Sequence, residues 1–127
     1  MTRHARGYAA LSSTGPLGLF HFVRREPRAD DVVIELLYCG VCHSDLHNVR
    51  NDWGYSKYPM VPGHEMVGRV VQIGSNVTKF KVHDTVGVGC LVDSCRTCQP
   101  CQKGDEQFCA KQPTYGYGSL DRHDGQA

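Results

Sequence analysis

The sequence predicts a mainly β fold with short helices and an irregular, cysteine-rich lobe. Three features predict it. The apolar runs are short, rich in valine and isoleucine, and bounded by turn residues. Fourteen glycines and six prolines punctuate the 127 residues. Helical patterns do not alternate with strand patterns, so a Rossmann domain is expected to be absent. The length suits one domain with one modest core, spanning residues 1–127.

Along the chain, Tyr8 to Leu11 reads as a first strand, followed by a turn at Ser12-Ser13-Thr14-Gly15-Pro16. Leu19 to Arg24 reads as a second strand, ended by Glu26-Pro27. Asp31 to Cys39 carries the strongest strand signal. Val32, Val33, Ile34, Leu36 and Leu37 are apolar, and Val and Ile favour strands. Gly40 breaks this strand. Ser44 can then cap a short helix to about Asn48, because a serine oxygen accepts a free first-turn N–H. Asn51 to Tyr58 is a loop. Met66 to Ile73 is a strand ending at the Gly74-Ser75-Asn76 turn. Val77 to Phe80 and Thr85 to Gly89 suggest another strand pair, joined near His83-Asp84. Cys95 to Cys109 is expected to be irregular, and Tyr115 to Ala127 shows turn residues without a finished element.

Composition excludes several classes of function. The net charge is +1 and no run of Lys or Arg exceeds two residues, which argues against nucleic acid and anionic membrane surfaces as partners. No apolar stretch approaches the roughly 20 residues needed to span a bilayer. The N-terminal Met1-Thr2-Arg3-His4-Ala5-Arg6 lacks the apolar segment of a secretory signal. A cytoplasmic, reducing compartment is the resulting expectation. There, seven cysteines, an odd number, point to metal ligation more than to a disulfide framework.

Cys95, Cys98, Cys101 and Cys109 form C-x2-C-x2-C-x7-C within a lobe expected over residues 90–110. Two-residue gaps let successive thiolates curl toward one point, and the longer loop closes a tetrahedron. Zinc takes four thiolates in closed structural sites. A small loop with few apolar residues then draws its folding energy from the metal. Two disulfides and an iron–sulfur cluster are the competing readings. The spacing of the fourth cysteine departs from the ferredoxin pattern, and a reducing compartment disfavours disulfides. A second donor set consists of Cys42, in Gly40-Val41-Cys42-His43-Ser44-Asp45-Leu46-His47, and His64-Glu65 after Pro62-Gly63. Each motif is weak in isolation. Together they offer thiolate, imidazole and carboxylate, the ligand types of catalytic zinc.

These runs resemble a known family. Tyr38 to His47 is similar to the catalytic zinc loop of zinc-dependent medium-chain alcohol dehydrogenases. Tyr58 to Gly68 is similar to their Gly-His-Glu motif, and the four-cysteine lobe to their structural zinc loop. Asn51-Asp52-Trp53-Gly54 and Tyr115-Gly116-Tyr117-Gly118 point to the cinnamyl alcohol dehydrogenase branch. The resemblance implies a GroES-like, partly open β-barrel. It implies that Cys42, His64 and Glu65 belong to a catalytic zinc centre and that Cys95, Cys98, Cys101 and Cys109 hold a structural zinc. Asp45 would orient the zinc-bound histidine. Ser44 would take the alcohol proton, and His47 would form the outer end of the relay beside the cofactor ribose. His43 would lie near the cofactor pyrophosphate, and Trp53 would line the substrate pocket. The implied cofactors are zinc and NADP, the substrate a small-molecule alcohol or aldehyde, and the full-length protein a homodimer.

The remaining residues read more plainly. Cys39 and Cys90 are expected to pack as small core hydrophobes, and His4, His21 and His123 to be solvated. His83 stands where the family has a glycine, so positive φ is expected there at some cost. The family's third catalytic ligand, a downstream cysteine, and a G-x-G-x-x-G fingerprint are not found by Ala127. The expectation is a fragment or truncated gene product, inactive alone, with one firmly bound zinc. The alternatives are a non-catalytic zinc-binding GroES-like module and a zinc-ribbon nucleic-acid binder. Ser44 and His47 beside Cys42 speak against the first, and the near-neutral charge against the second.

Overall fold

The computed structural model describes residues 3–125. Residues 1, 2, 126 and 127 of the expected domain, including the start of the segment read for a signal, lie outside the described residues. The fold is mainly β. Strands β1 (Arg3–Ala9) and β2 (Gly18–Arg24) form an antiparallel pair with Arg3 opposite Arg24 and Ala9 opposite Gly18. Strands β3 (Val32–Gly40), β4 (Glu65–Ile73) and β5 (Thr85–Val88) form an antiparallel sheet in the order β3-β4-β5. A third small sheet pairs β6 (Leu91–Asp93) with β7 (Thr114–Tyr115). The sheets are separate and none closes into a barrel among the described residues. Helix α1 (His43–Arg50) follows β3, and α2 (Gln99–Gln102) and a 3-10 turn (Glu106–Phe108) lie in the cysteine lobe. No helix among the described residues is long and apolar enough to cross a membrane.

Several expectations need correction. The first strand begins at Arg3 and ends at Ala9, because pairing with β2 tolerates its polar residues. Ala10 instead bridges to Met60, exchanging backbone hydrogen bonds of 2.8 and 2.9 Å. Val77 to Phe80 is not a strand. β5 pairs with β4, and the turn before it is held by His83 N donating to Val70 O and Val70 N to Asp84 O. Helix α1 runs two residues beyond Asn48. Its N-cap is Cys42 rather than Ser44, and Asp45 at the third helical position accepts the Cys42 N–H at 3.0 Å. Cys39 and Cys90 are exposed. Cys39 lies next to last in β3, an edge strand on which Leu36, Leu37 and Tyr38 are also exposed, so there is no core for it to enter, and Cys90 lies in the bend between β5 and β6. His4, His21 and His123 are exposed.

The buried apolar set is small: Ala9, Ala10, Met60, Val70, Cys101 and Cys109. Within it, Ala10 and Met60 join the end of the first sheet to the loop that precedes His64. The β3–β4 pairing does more, since Gly40 at the end of β3 faces Glu65 at the start of β4. Cys42 lies two residues beyond one strand and His64 one residue before the other. Antiparallel register therefore delivers both to the same end of one sheet.

Candidate metal centre

The ligating atoms of Cys42, His64 and Glu65 all lie within 4.8 Å of one another. Two glycines make this approach feasible. Gly63 has φ 120°, and a Cβ there would stand 2.7 Å from Cys39 Sγ. A Cβ on Gly40 would collide with the Glu65 carboxylate. Cys39 itself is not among the gathered donors.

Asp45 organises the centre from the first turn of α1 and is 7% exposed. One carboxylate oxygen accepts the Cys42 N–H at 3.0 Å. The other accepts Gly63 N–H at 3.1 Å and meets His64 Nδ1 at 3.1 Å. With Nδ1 engaged, Nε2 is the nitrogen left to a metal ion. Burial alone would raise the Asp45 pKa. The Cys42 N–H, the Tyr117 hydroxyl and the His64 ring outweigh burial and lower it. The Ser44 hydroxyl donates to Cys42 Sγ at 3.2 Å. That contact, the Ser44 N–H and the His64 ring lower the Cys42 thiol's pKa. Burial lowers the His64 pKa, but the neighbouring Cys42 and Asp45 overcome it and raise the value. A thiolate, an oriented imidazole and a carboxylate at this spacing suit a zinc ion with an open position.

A second row of side chains lies outside the donors. His47 Nδ1 meets Asp52 Oδ2 at 2.7 Å. The His43 and His47 ring centroids are 4.7 Å apart, and those of His47 and Trp53 5.2 Å. Trp53, 46% exposed, also stacks on Tyr55. The helix end explains this arrangement. Asn51 adopts φ 59°, reversing the chain so that Asp52 N donates to His47 O at 3.0 Å. Asp52 is thereby returned to the last turn of the helix it follows. The sequence reading assigned it no role, although asparagine just after a helix is a recognisable signal for such a reversal.

Tyr117 is the other residue without an assigned role in the sequence reading. Its ring stacks on His64 with centroids 5.9 Å apart and planes 26° apart. Asn48 Nδ2 donates to its hydroxyl at 3.0 Å. Burial, with Asp45 close by, raises the Tyr117 pKa well above the ordinary phenol value. No local signal identifies it, because it reaches His64 from 53 positions along the chain.

The thiols of Cys95, Cys98, Cys101 and Cys109 also lie within 4.8 Å of one another. Thiolates bound at about 2.3 Å to a tetrahedral zinc stand about 3.8 Å apart. The Cys95–Cys101 and Cys98–Cys101 sulfurs are 3.9 and 3.4 Å apart, so this set fits such an ion. Backbone N–H groups of Cys95, Cys98 and Ala110 donate at 3.4 Å to Cys109, Cys95 and Cys98 respectively. Hydrogen bonds from the Thr97 and Cys98 backbone hold the Cys95 pKa at about 5. Ser94 favours the Cys101 thiolate, but burial and the adjacent Cys98 and Cys109 outweigh it and push the pKa to about 11. The lobe thus combines a ready thiolate with a buried thiol that a metal ion would deprotonate.

Residues 28–124 match the family described as the alcohol dehydrogenase GroES-like domain. The chain is 57% identical over 115 residues to "Probable mannitol dehydrogenase 1" of Stylosanthes humilis, covering 91% of this chain and 32% of that protein. It is 51% identical over 122 residues to cinnamyl alcohol dehydrogenase 8 of Arabidopsis thaliana, covering 95% and 34%. Among solved structures, a cinnamyl alcohol dehydrogenase from Sorghum bicolor superposes with a TM-score of 0.94 at 46% identity, covering 98% of this chain and 35% of that one. A CAD from Helicobacter pylori complexed with NADP(H) gives 0.92 at 40% identity, covering 99% and 36%. The chain spans about a third of the length of these relatives.

Proposed function

Because this chain belongs to the alcohol dehydrogenase GroES-like domain family, we propose that it is the metal-binding segment of a zinc-dependent alcohol dehydrogenase. The reaction is hydride transfer between a primary alcohol, allylic or aromatic in class, and NADP. The observation that carries this reading is the convergence of Cys42, His64 and Glu65, with the Ser44 hydroxyl 3.2 Å from the Cys42 sulfur. The choice of NADP rests on the likeness to the Helicobacter pylori structure. The choice of alcohol rests on the relatives' names. The free thiols suit a cytoplasmic setting.

Zinc bound by Cys42 and His64, with Glu65 as the exchangeable donor, would supply Lewis acidity toward the substrate oxygen. The chain's own groups do the rest. Asp45 fixes the His64 ring so that Nε2 faces the centre. Ser44 presents a hydroxyl beside Cys42 that would take the alcohol proton on its oxygen while releasing its own proton outward, toward the His47 side. His47 lies three residues on, along the same helix face. Asp52 holds His47 Nδ1, so Nε2 is free to pass a proton outward. Trp53, tilted against the His47 ring, forms a wall on the substrate side, and His43 flanks the place for the cofactor phosphates. The four-cysteine lobe takes a second zinc as a closed structural site. The described residues contain no parallel βαβ unit to seat a dinucleotide. The 127-residue chain alone is therefore expected to show no turnover.

The test is NADP-linked oxidation of allylic and aromatic primary alcohols by the polypeptide carrying this segment at the length of its relatives. Cys42→Ser should abolish turnover, and Ser44→Ala should lower it by about 10²-fold or more. Full turnover by the Cys42→Ser variant would sink the proposal.

A further inference from the structure

Tyr117 reaches the metal centre from outside the two motifs that supply its donors. β7 pairs with β6, directly before the four-cysteine lobe, and the chain then turns so that Tyr117 lies over the His64 ring. Its hydroxyl oxygen accepts a hydrogen bond from Asn48 Nδ2. The other Asn48 amide hydrogen donates to Ser44 O at 3.1 Å, so both of its donors are used and the amide orientation is set. The Asn48 contact uses the hydroxyl oxygen as acceptor, so the ring is tied to the helix through that oxygen. Asp45 holds His64 Nδ1. Tyr117 therefore holds the imidazole through its face, while Asp45 holds it through its edge.

We infer that Tyr117 is a positioning residue for the metal centre, fixing the plane of His64 by stacking on its ring while its hydroxyl is anchored to Asn48. Asn48 extends this support to the helix that carries Cys42 and Ser44. The inference rests on the reading that Cys42, His64 and Glu65 hold a metal ion. A donor ring locked before the ion arrives loses less freedom on binding. Groups that orient ligands in this way typically change metal affinity by about 10–100-fold when removed.

The experiment titrates cobalt(II) into the chain after the four-cysteine lobe has been filled with zinc. It reads the thiolate-to-cobalt absorption and the visible ligand-field bands, with far-ultraviolet circular dichroism recorded alongside. Wild type should show a band that Cys42→Ser lacks. Its absence from wild type would overturn the metal-centre reading itself. Tyr117→Leu should weaken binding by about 10–100-fold and shift the ligand-field bands. Tyr117→Phe keeps the stacking ring and should recover part of the affinity. If Tyr117→Leu loses its dichroism spectrum, Tyr117→Phe decides alone, and it must bind more weakly than wild type. Wild-type affinity and bands in the folded variants would overturn the positioning role while leaving the metal centre intact.

Discussion

Asp45 and His64, nineteen residues apart, meet at 3.1 Å through a carboxylate oxygen and Nδ1. The same carboxylate also accepts the Cys42 and Gly63 N–H groups. One buried side chain therefore sets the helix start, the loop before β4 and the orientation of a donor ring. Asp45→Ala should weaken metal binding at the centre by about 10–100-fold, read by competition with a chromophoric chelator. It should also leave two backbone N–H groups unpaired, lowering unfolding stability by about 1–3 kcal/mol in denaturant titration. Unchanged metal affinity would refute the orienting role.

The cysteine lobe has little apolar burial beyond Cys101 and Cys109, so a metal ion should supply most of its stability. Zinc per chain, measured after dialysis against a mild chelator, should be close to one equivalent. Cys98→Ser should lose that zinc, whereas Cys39→Ser and Cys90→Ser should keep it. Strong chelation should loosen the backbone around Arg96, Lys103 and Lys111, whose side chains are already exposed, so that trypsin cuts there before the rest of the chain. Equal zinc content in Cys98→Ser would contradict the assignment.

Asp31 accepts hydrogen bonds from the Arg25 and Arg28 guanidinium groups and from the Arg28 N–H. Arg25 also reaches Asp121 at 2.8 Å. Burial would raise the Asp31 pKa, but the two arginines outweigh it and hold it far below the usual carboxylate range. A depressed folded-state pKa means that the stabilisation is present above about pH 4. It is then lost as pH falls toward the folded value. Asp31→Asn should cost about 2 kcal/mol at neutral pH. The gap between wild type and variant should shrink as acid is added, as measured by denaturant midpoints at several pH values. A gap that stays constant down to about pH 2 would count against it.

His83 sits at φ 78°, a region that side chains with a Cβ enter at a cost. His83→Gly should raise stability by about 0.5 kcal/mol, the relieved strain exceeding the added freedom of the unfolded chain. His83→Val should lower it by about 1 kcal/mol, since β-branched residues tolerate this region least. Thermal unfolding of the two variants decides the matter, and a stabilising valine would reverse the argument.

Much of the local structure could be read before any geometry was known. β2, β3 and β4 fall within a residue or so of their expected bounds because valine, isoleucine and turn residues mark them directly. The first strand was misplaced because its polar residues give no periodic signal, and only β2 across from it defines it. A strand expected over Val77 to Phe80 is absent because β5 takes its partner from β4. Cys39 and Cys90 are expected in the core, but Cys39 lies on the edge strand β3 and Cys90 in the bend between β5 and β6, and both are exposed.

By itself, the sequence determined donor chemistry and spacing: four thiols at short intervals in one loop, and a cysteine and a histidine each placed against a strand end. These are properties of neighbouring residues, whose conformations are restricted over a few positions at a time. The resemblance already implied that Cys42, His64 and Glu65 share a centre; tertiary structure supplied the means of their meeting and the partners that no motif named. The β3–β4 register brought Cys42 to His64 and Glu65. The reversal at Asn51 returned Asp52 to His47. The β6–β7 pairing led the chain to place Tyr117 on His64. The physical reason is that such meetings depend on strand pairing and chain reversal across tens of residues, which no local pattern encodes.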